Sequence, residues 1–236
     1  MATLTAMKSD DLQKNMLSTY FTLRLGVAVL SALFPWILSL VGWFGGGLPL
    51  ANSMSAYYGE STGFMRNWFV GILWSVGSFL YLYKGYSPLE NILLNIAGGS
   101  AVVLALVPCN CWNGADGDSN TWHFAAALSF FVAMSCVCLF CAKDTVKLMN
   151  EKDQKIYTRT YNVIGLLLFL VPAAAVGVGF LLNQSGRRIF LIEGTAVSIF
   201  AWFWFAKTRE FKKTSAEKLA VHGKIENVKK LGVRRV

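Results

Sequence analysis

Charge is scarce in this chain: Asp, Glu, Lys and Arg supply only 15% of its 236 residues, against 55% hydrophobic ones. A water-soluble domain of this length could not cover its surface with so few polar groups, so composition excludes an ordinary soluble enzyme or binding module. Histidine is scarcer still, with only His123 and His222. That count argues against membrane hydrolases of the alkaline ceramidase kind, which bring several histidines and an aspartate together. Cys109 and Cys111 are too close in sequence for relaxed disulfide geometry, and no standard zinc spacing accompanies them. No internal repeat and no matched pair of broken helices is visible, which weakens an inverted-repeat transporter reading.

What the chain does have is apolar length. Six stretches, near residues 22 to 44, 66 to 83, 90 to 108, 122 to 142, 159 to 182 and 188 to 206, can each cross a hydrocarbon core of about 30 Å, which takes about 20 helical residues. The sequence therefore predicts an all-α, polytopic membrane protein. Its six-transmembrane-helix bundle covers 22 to 206, after a cytoplasmic segment 1 to 21 and before a basic cytoplasmic tail 207 to 236. Alternating the spans puts 19 of the 22 Lys and Arg on one side and leaves Arg66, Arg187 and Arg188 on the other. By the positive-inside rule both termini are then cytoplasmic. The net charge of +9 belongs to topology, not to nucleic acid, and a plasma or inner membrane is the expected location. The first run exceeds a signal-peptide core and no Ala-x-Ala-like site follows it directly, so it reads as a retained anchor. Beyond Lys207, basic residues spaced by Glu210, Glu217 and Glu226 read as a solvated tail, or as one weakly drawn to anionic lipid.

Small residues predict where helices touch. Ala173 with Gly177, and Ala175 with Gly179, lie four apart on one face, and residues Ala97 to Ser100 form another smooth patch. Pro35 and Pro172 are expected to kink their spans. Cys136, Cys138 and Cys141 read as small apolar fillers, and the sequon at Asn183 to Ser185 hugs the membrane too closely to serve as a glycosylation site.

The outer ends of three spans carry the ionisable groups Arg66, His123 and Glu193. Glu193 lies about 6 Å into its helix, at about 1.5 Å per residue, where an unpaired charge is expensive. Arg66 is the expected counter-ion, in a bidentate pair that also ties two spans together. The polar and aromatic segment Ser53 to Tyr58 is expected to fold over this end. Together Ser53, Ser55, Tyr57, Tyr58, Arg66, His123 and Glu193 outline a pocket for a polar or anionic headgroup, favoured by three outward-facing helix N-termini. No cofactor is implied and no metal site is expected, since His123 with Asp116 or Asp118 is too small a ligand set. No complete catalytic set is visible either.

Several of these residues carry a resemblance. Ser53-x-Ser55-x-Tyr57-Tyr58, Met65-Arg66-x-x-Phe69-Val70-Gly71-x-Leu73, Tyr83-x-Gly85, Ala97-Gly98, His123 before Ala125 to Ala127, and Phe190-x-x-Glu193 resemble a group of uncharacterised six-span bacterial membrane proteins. More distantly, the order of elements is similar to the FRAG, DRAM and Sfk group. The resemblance covers residues 20 to 206 and implies a six-helix bundle with an extracytoplasmic polar site. It implies no reaction. The chain departs from the pattern at Asn67, where an acidic residue is expected after Arg66, and at Glu90, which follows Pro88 in place of an Asp-rich turn.

Two classes of function follow. One is a non-catalytic bilayer protein that binds a lipid headgroup or small amphiphile, or serves in a membrane complex or homo-oligomer. The alternative is an intramembrane lipid-modifying enzyme, or a proton-coupled transporter, using Glu193 and His123.

Overall fold

The computed structural model describes residues 2–59, 63–107, 118–181 and 188–214. The elements are α1 (Ala2–Trp36), α2 (Gly42–Gly46), α3 (Phe64–Leu82), α4 (Pro88–Leu106), α5 (Asp118–Cys136), α6 (Glu151–Leu181) and α7 (Arg188–Thr214). A π-helical stretch, Ile37–Val41, joins α1 to α2, and a second, Val137–Cys141, extends α5. No strand occurs among the described residues. Each long helix packs on its sequence neighbour, and α7 returns to α1, so α1, α3, α4, α5, α6 and α7 close into a ring.

Five segments are long and apolar enough to cross a membrane: Asn15–Gly46, Pro88–Leu106, Thr121–Leu148, Glu151–Ala174 and Arg188–Thr214. Helix α3 is not among them, because Arg66 and Asn67 occupy its first turn and Ser75 and Ser78 dilute the rest. The outward faces carry bare Trp36, Trp43, Phe44, Tyr81, Phe140 and Leu191. So much exposed apolar surface suits lipid rather than water, and the fold is compatible with an integral multi-pass membrane protein.

Local chemistry sets the ends of these helices. Ser87 caps α4 by accepting the Glu90 N–H at 3.1 Å, with Pro88 at the first helical position. Pro35 has no N–H to give the carbonyl of Ser31 four residues back, and the π-helical turn begins two residues after it. Pro172, by contrast, lies inside an unbroken α6.

Where small residues were expected to pack, one site does and one does not. Gly77 and Gly98 bring α3 and α4 together backbone to backbone: a Cβ on either would lie 2.8 Å from the other's carbonyl oxygen. Beside them, Ser100 donates to Ser129 at 3.0 Å and links α4 to α5. On α6, Ala173 is exposed and a Cβ on Gly177 would meet nothing, so that face is unpacked within the described chain. The packing of Ala175 and Gly179 lies outside what is described, as do Cys109, Cys111, Asp116, the Asp118 side chain and the sequon. Cys138 and Cys141 are buried fillers as expected, and Cys136 is half-buried.

The end of the bundle that holds Arg24 and Lys207 corrects the expectation of a tail that is solvated beyond Lys207. Helix α7 continues to Thr214, and Lys207 and Glu210 are buried. Arg24 is also buried; its guanidinium donates to the Tyr83 hydroxyl, with Nε at 3.1 Å, and to the Tyr86 hydroxyl at 3.2 Å. Buried Glu90 accepts the Tyr86 N–H at 2.7 Å. Lys207 donates to Thr145 Oγ1 at 2.8 Å and to the Ala142 carbonyl at 3.2 Å, while Glu210 accepts the hydroxyls of Thr145 and Tyr161. With Lys207 also over the Tyr86 ring, one polar layer ties this end of the six long helices together. Above it Phe130, Phe200, Phe203 and Trp204 stack edge to face and fill the centre of the ring.

Candidate functional site

The opposite end is closed by the chain between α2 and α3. Gly47 ends α2 with a positive φ of 62°, and its N–H and that of Leu48 return to Trp43 and Gly42 in the usual left-handed helix stop. The chain then forms a 3-10 turn, Ser55–Gly59. Ser53 supports the turn by accepting the Ala56 N–H at 3.0 Å. Tyr57 is fully buried against Phe190, and its hydroxyl accepts the Ala51 N–H at 3.4 Å. Burial pushes its phenol above the ordinary value near 10. Two bonds from α7 hold the segment down: Phe190 N–H to the Asn52 carbonyl at 2.8 Å, and Glu193 Oε2 accepting the Met54 N–H at 2.6 Å.

That anchoring sets the position of Ser55. Its Oγ lies 3.0 Å from His123 Nε2, and His123 Nδ1 lies 3.0 Å from the Val107 carbonyl. A carbonyl oxygen only accepts, so Nδ1 carries the hydrogen. In the neutral ring Nε2 then offers its lone pair to the Ser55 hydroxyl. The histidine is buried, which fixes its plane between the end of α4 and the 3-10 turn.

Beneath this pair lies a cavity of about 100 Å³. Phe34, Phe69, Leu73, Val76, Leu104, Ala127, Phe130, Phe131, Val197 and Phe200 make most of its wall; Ser31, Ser55, His123 and Glu193 make its polar end. Ser31 Oγ and Glu193 Oε1 have no hydrogen-bond partner among the described residues. The cavity is therefore apolar, with two unused polar atoms beside a histidine-bound hydroxyl.

Of the seven residues the sequence singled out, Ser55, His123 and Glu193 meet at the cavity. Ser53 and Tyr57 build the loop, and Tyr58 packs on Phe69. The expected pair of Arg66 with Glu193 is not formed. Arg66 is exposed, with Nε donating to the Tyr58 carbonyl at 2.9 Å and its guanidinium over the Tyr58 ring. Backbone geometry explains the correction: the Met54 N–H reaches the carboxylate first, and Arg66, on the first turn of α3, finds a carbonyl of its own loop. An anion site therefore lacks its cation, because the ionisable acid on the wall is the carboxyl of Glu193 and Arg66 lies elsewhere. Ser31 was missed, although the proline four residues after it marks a break in the α1 ladder. The Ser55 hydroxyl, the His123 ring and the Val107 carbonyl also form one hydrogen-bonded chain. No sequence motif could announce it, because its third member is a backbone oxygen.

Among the described residues no three side chains of the metal-binding types converge. No family model, curated protein or solved structure matches the chain.

Proposed function

We propose that the protein is a six-span membrane protein with both termini cytoplasmic, whose outer-end cavity binds a small amphiphile through a neutral hydrogen-bonding end. Helix α3 is the sixth span; its 19 residues reach about 28 Å at about 1.5 Å each. The observation that carries the binding role is the cavity itself, apolar along its length and polar only at Ser31, Ser55, His123 and Glu193.

Size and charge select the occupant. About 100 Å³ is less than the roughly 150 Å³ that admits benzene in an engineered apolar cavity. Such a space takes a short chain or a chain end, not a phosphate-bearing headgroup. Glu193 Oε1 accepts from a hydroxyl on the guest when the carboxyl is ionised, and offers an anion no positive charge. The aromatic walls supply contact area for the apolar part.

The test is lipid identification by native mass spectrometry on protein extracted in mild detergent, compared with Ala127→Phe, which fills the cavity. A stoichiometric amphiphile in the parent protein, lost from a variant that still melts cooperatively, is the expected result. Equal retention by both proteins, or no bound molecule in either, overturns the reading.

A further inference from the structure

We propose that Ser55 and His123 are a nucleophile and general base that cleave an acyl ester whose chain enters the cavity. The inference rests on the cavity reading above and adds a reaction to it. Three observations carry it. The hydroxyl and Nε2 are at hydrogen-bonding distance, 3.0 Å. The bond from Nδ1 to Val107, also 3.0 Å, leaves Nε2 free to take a proton. Both side chains line a space whose walls suit an acyl chain.

The steps balance with water as the only co-reactant. Ser55 Oγ attacks the ester carbonyl carbon as its proton passes to His123 Nε2. Collapse of the tetrahedral intermediate breaks the bond to the alcohol oxygen, which takes that proton and leaves. Water then attacks the acyl-serine, giving its proton to Nε2, and the short-chain carboxylic acid departs as the serine is re-protonated. The imidazolium formed on the way is stabilised by the Val107 carbonyl, which plays the orienting part that a carboxylate plays in other serine hydrolases. Ser31 Oγ, on the same wall, is the hydroxyl that donates to the developing oxyanion. Glu193 is a positioning residue through its bond to Met54, the residue before the nucleophile, and its Oε1 is suited to a hydroxyl on the alcohol half of the ester.

The experiment uses the full chain in lipid nanodiscs, treated with an alkyl fluorophosphonate and read by peptide mass spectrometry. A single adduct on Ser55 is expected. It disappears in Ser55→Ala and forms at least about 100-fold more slowly in His123→Gln, the scale of a lost general base. Thermal unfolding of each variant checks its fold; should both variants unfold, the parent protein alone decides. Absence of a Ser55 adduct after prolonged excess probe overturns the proposal, as does labelling at an unchanged rate in a folded His123→Gln. The Ala127→Phe comparison of amphiphile retention separates the two readings. Retention lost there while Ser55 stays inert leaves binding standing and removes the hydrolase.

Discussion

Lys207 and Glu210 form an ion pair at 3.1 Å in which both side chains are withdrawn from solvent, 3% and 2% exposed. One turn apart on α7, they sit where the sequence alone suggests a basic tail entering water. The pair survives because Thr145, Tyr161 and the Ala142 carbonyl fill the remaining hydrogen-bond positions. Removing one partner strands a buried charge, at a cost of about 3–5 kcal/mol. Lys207→Met should therefore lower unfolding stability in detergent by that order. The double variant Lys207→Met with Glu210→Gln should lose less than the single one, and the reverse order would show that the pair is not buried in solution.

The contact of Gly77 with Gly98 makes a sharper test because a neighbour serves as control. Gly98→Ala drives a methyl group to 2.8 Å from a backbone oxygen, and overpacking of this kind costs about 1–3 kcal/mol. Gly99→Ala meets open space and should be neutral or gain up to about 1 kcal/mol of helix propensity. Thermal melts of the two variants should move apart; equal shifts would remove the close approach of α3 and α4.

Arg66 should matter little to the cavity. It is exposed and bonded to its own loop, so Arg66→Ala is expected to change stability by less than about 1 kcal/mol. Retention of the cavity amphiphile should not change. A variant that folds yet loses the amphiphile would return Arg66 to the site.

Topology can be read from two exposed positions at opposite ends of the bundle. With the other cysteines removed, Asn67→Cys should react with a membrane-impermeant thiol reagent from the extracytoplasmic side. Lys152→Cys should react only after the membrane is opened. The opposite pattern would invert the protein, and labelling of both from one side would mean an odd number of spans.

How much of this was legible depends on whether the signal was periodic or positional. Long apolar runs are additive along the chain, so the helices emerged from composition alone. Their ends did not: α1 begins at Ala2 and α7 runs to Thr214, and on α7 the buried partners of Lys207 and Glu210 let charged turns continue the helix beyond the apolar stretch. The close packing at Gly98 was readable, since four small residues in a row have little other use. The small face of α6 looked equivalent and is not, because packing needs a neighbour on that side, which a sequence pattern does not supply.

By itself the sequence determined the helical class, the apolar surface and the collection of Ser55, His123 and Glu193 at one end, since span length and alternation fix depth. The tertiary structure decided the pairings. Depth leaves rotation about each helix axis undetermined, and a hydrogen bond is sensitive to tenths of an ångström. Only the folded chain could give the Met54 N–H to Glu193, leave Arg66 outside, and bring the Val107 carbonyl to His123.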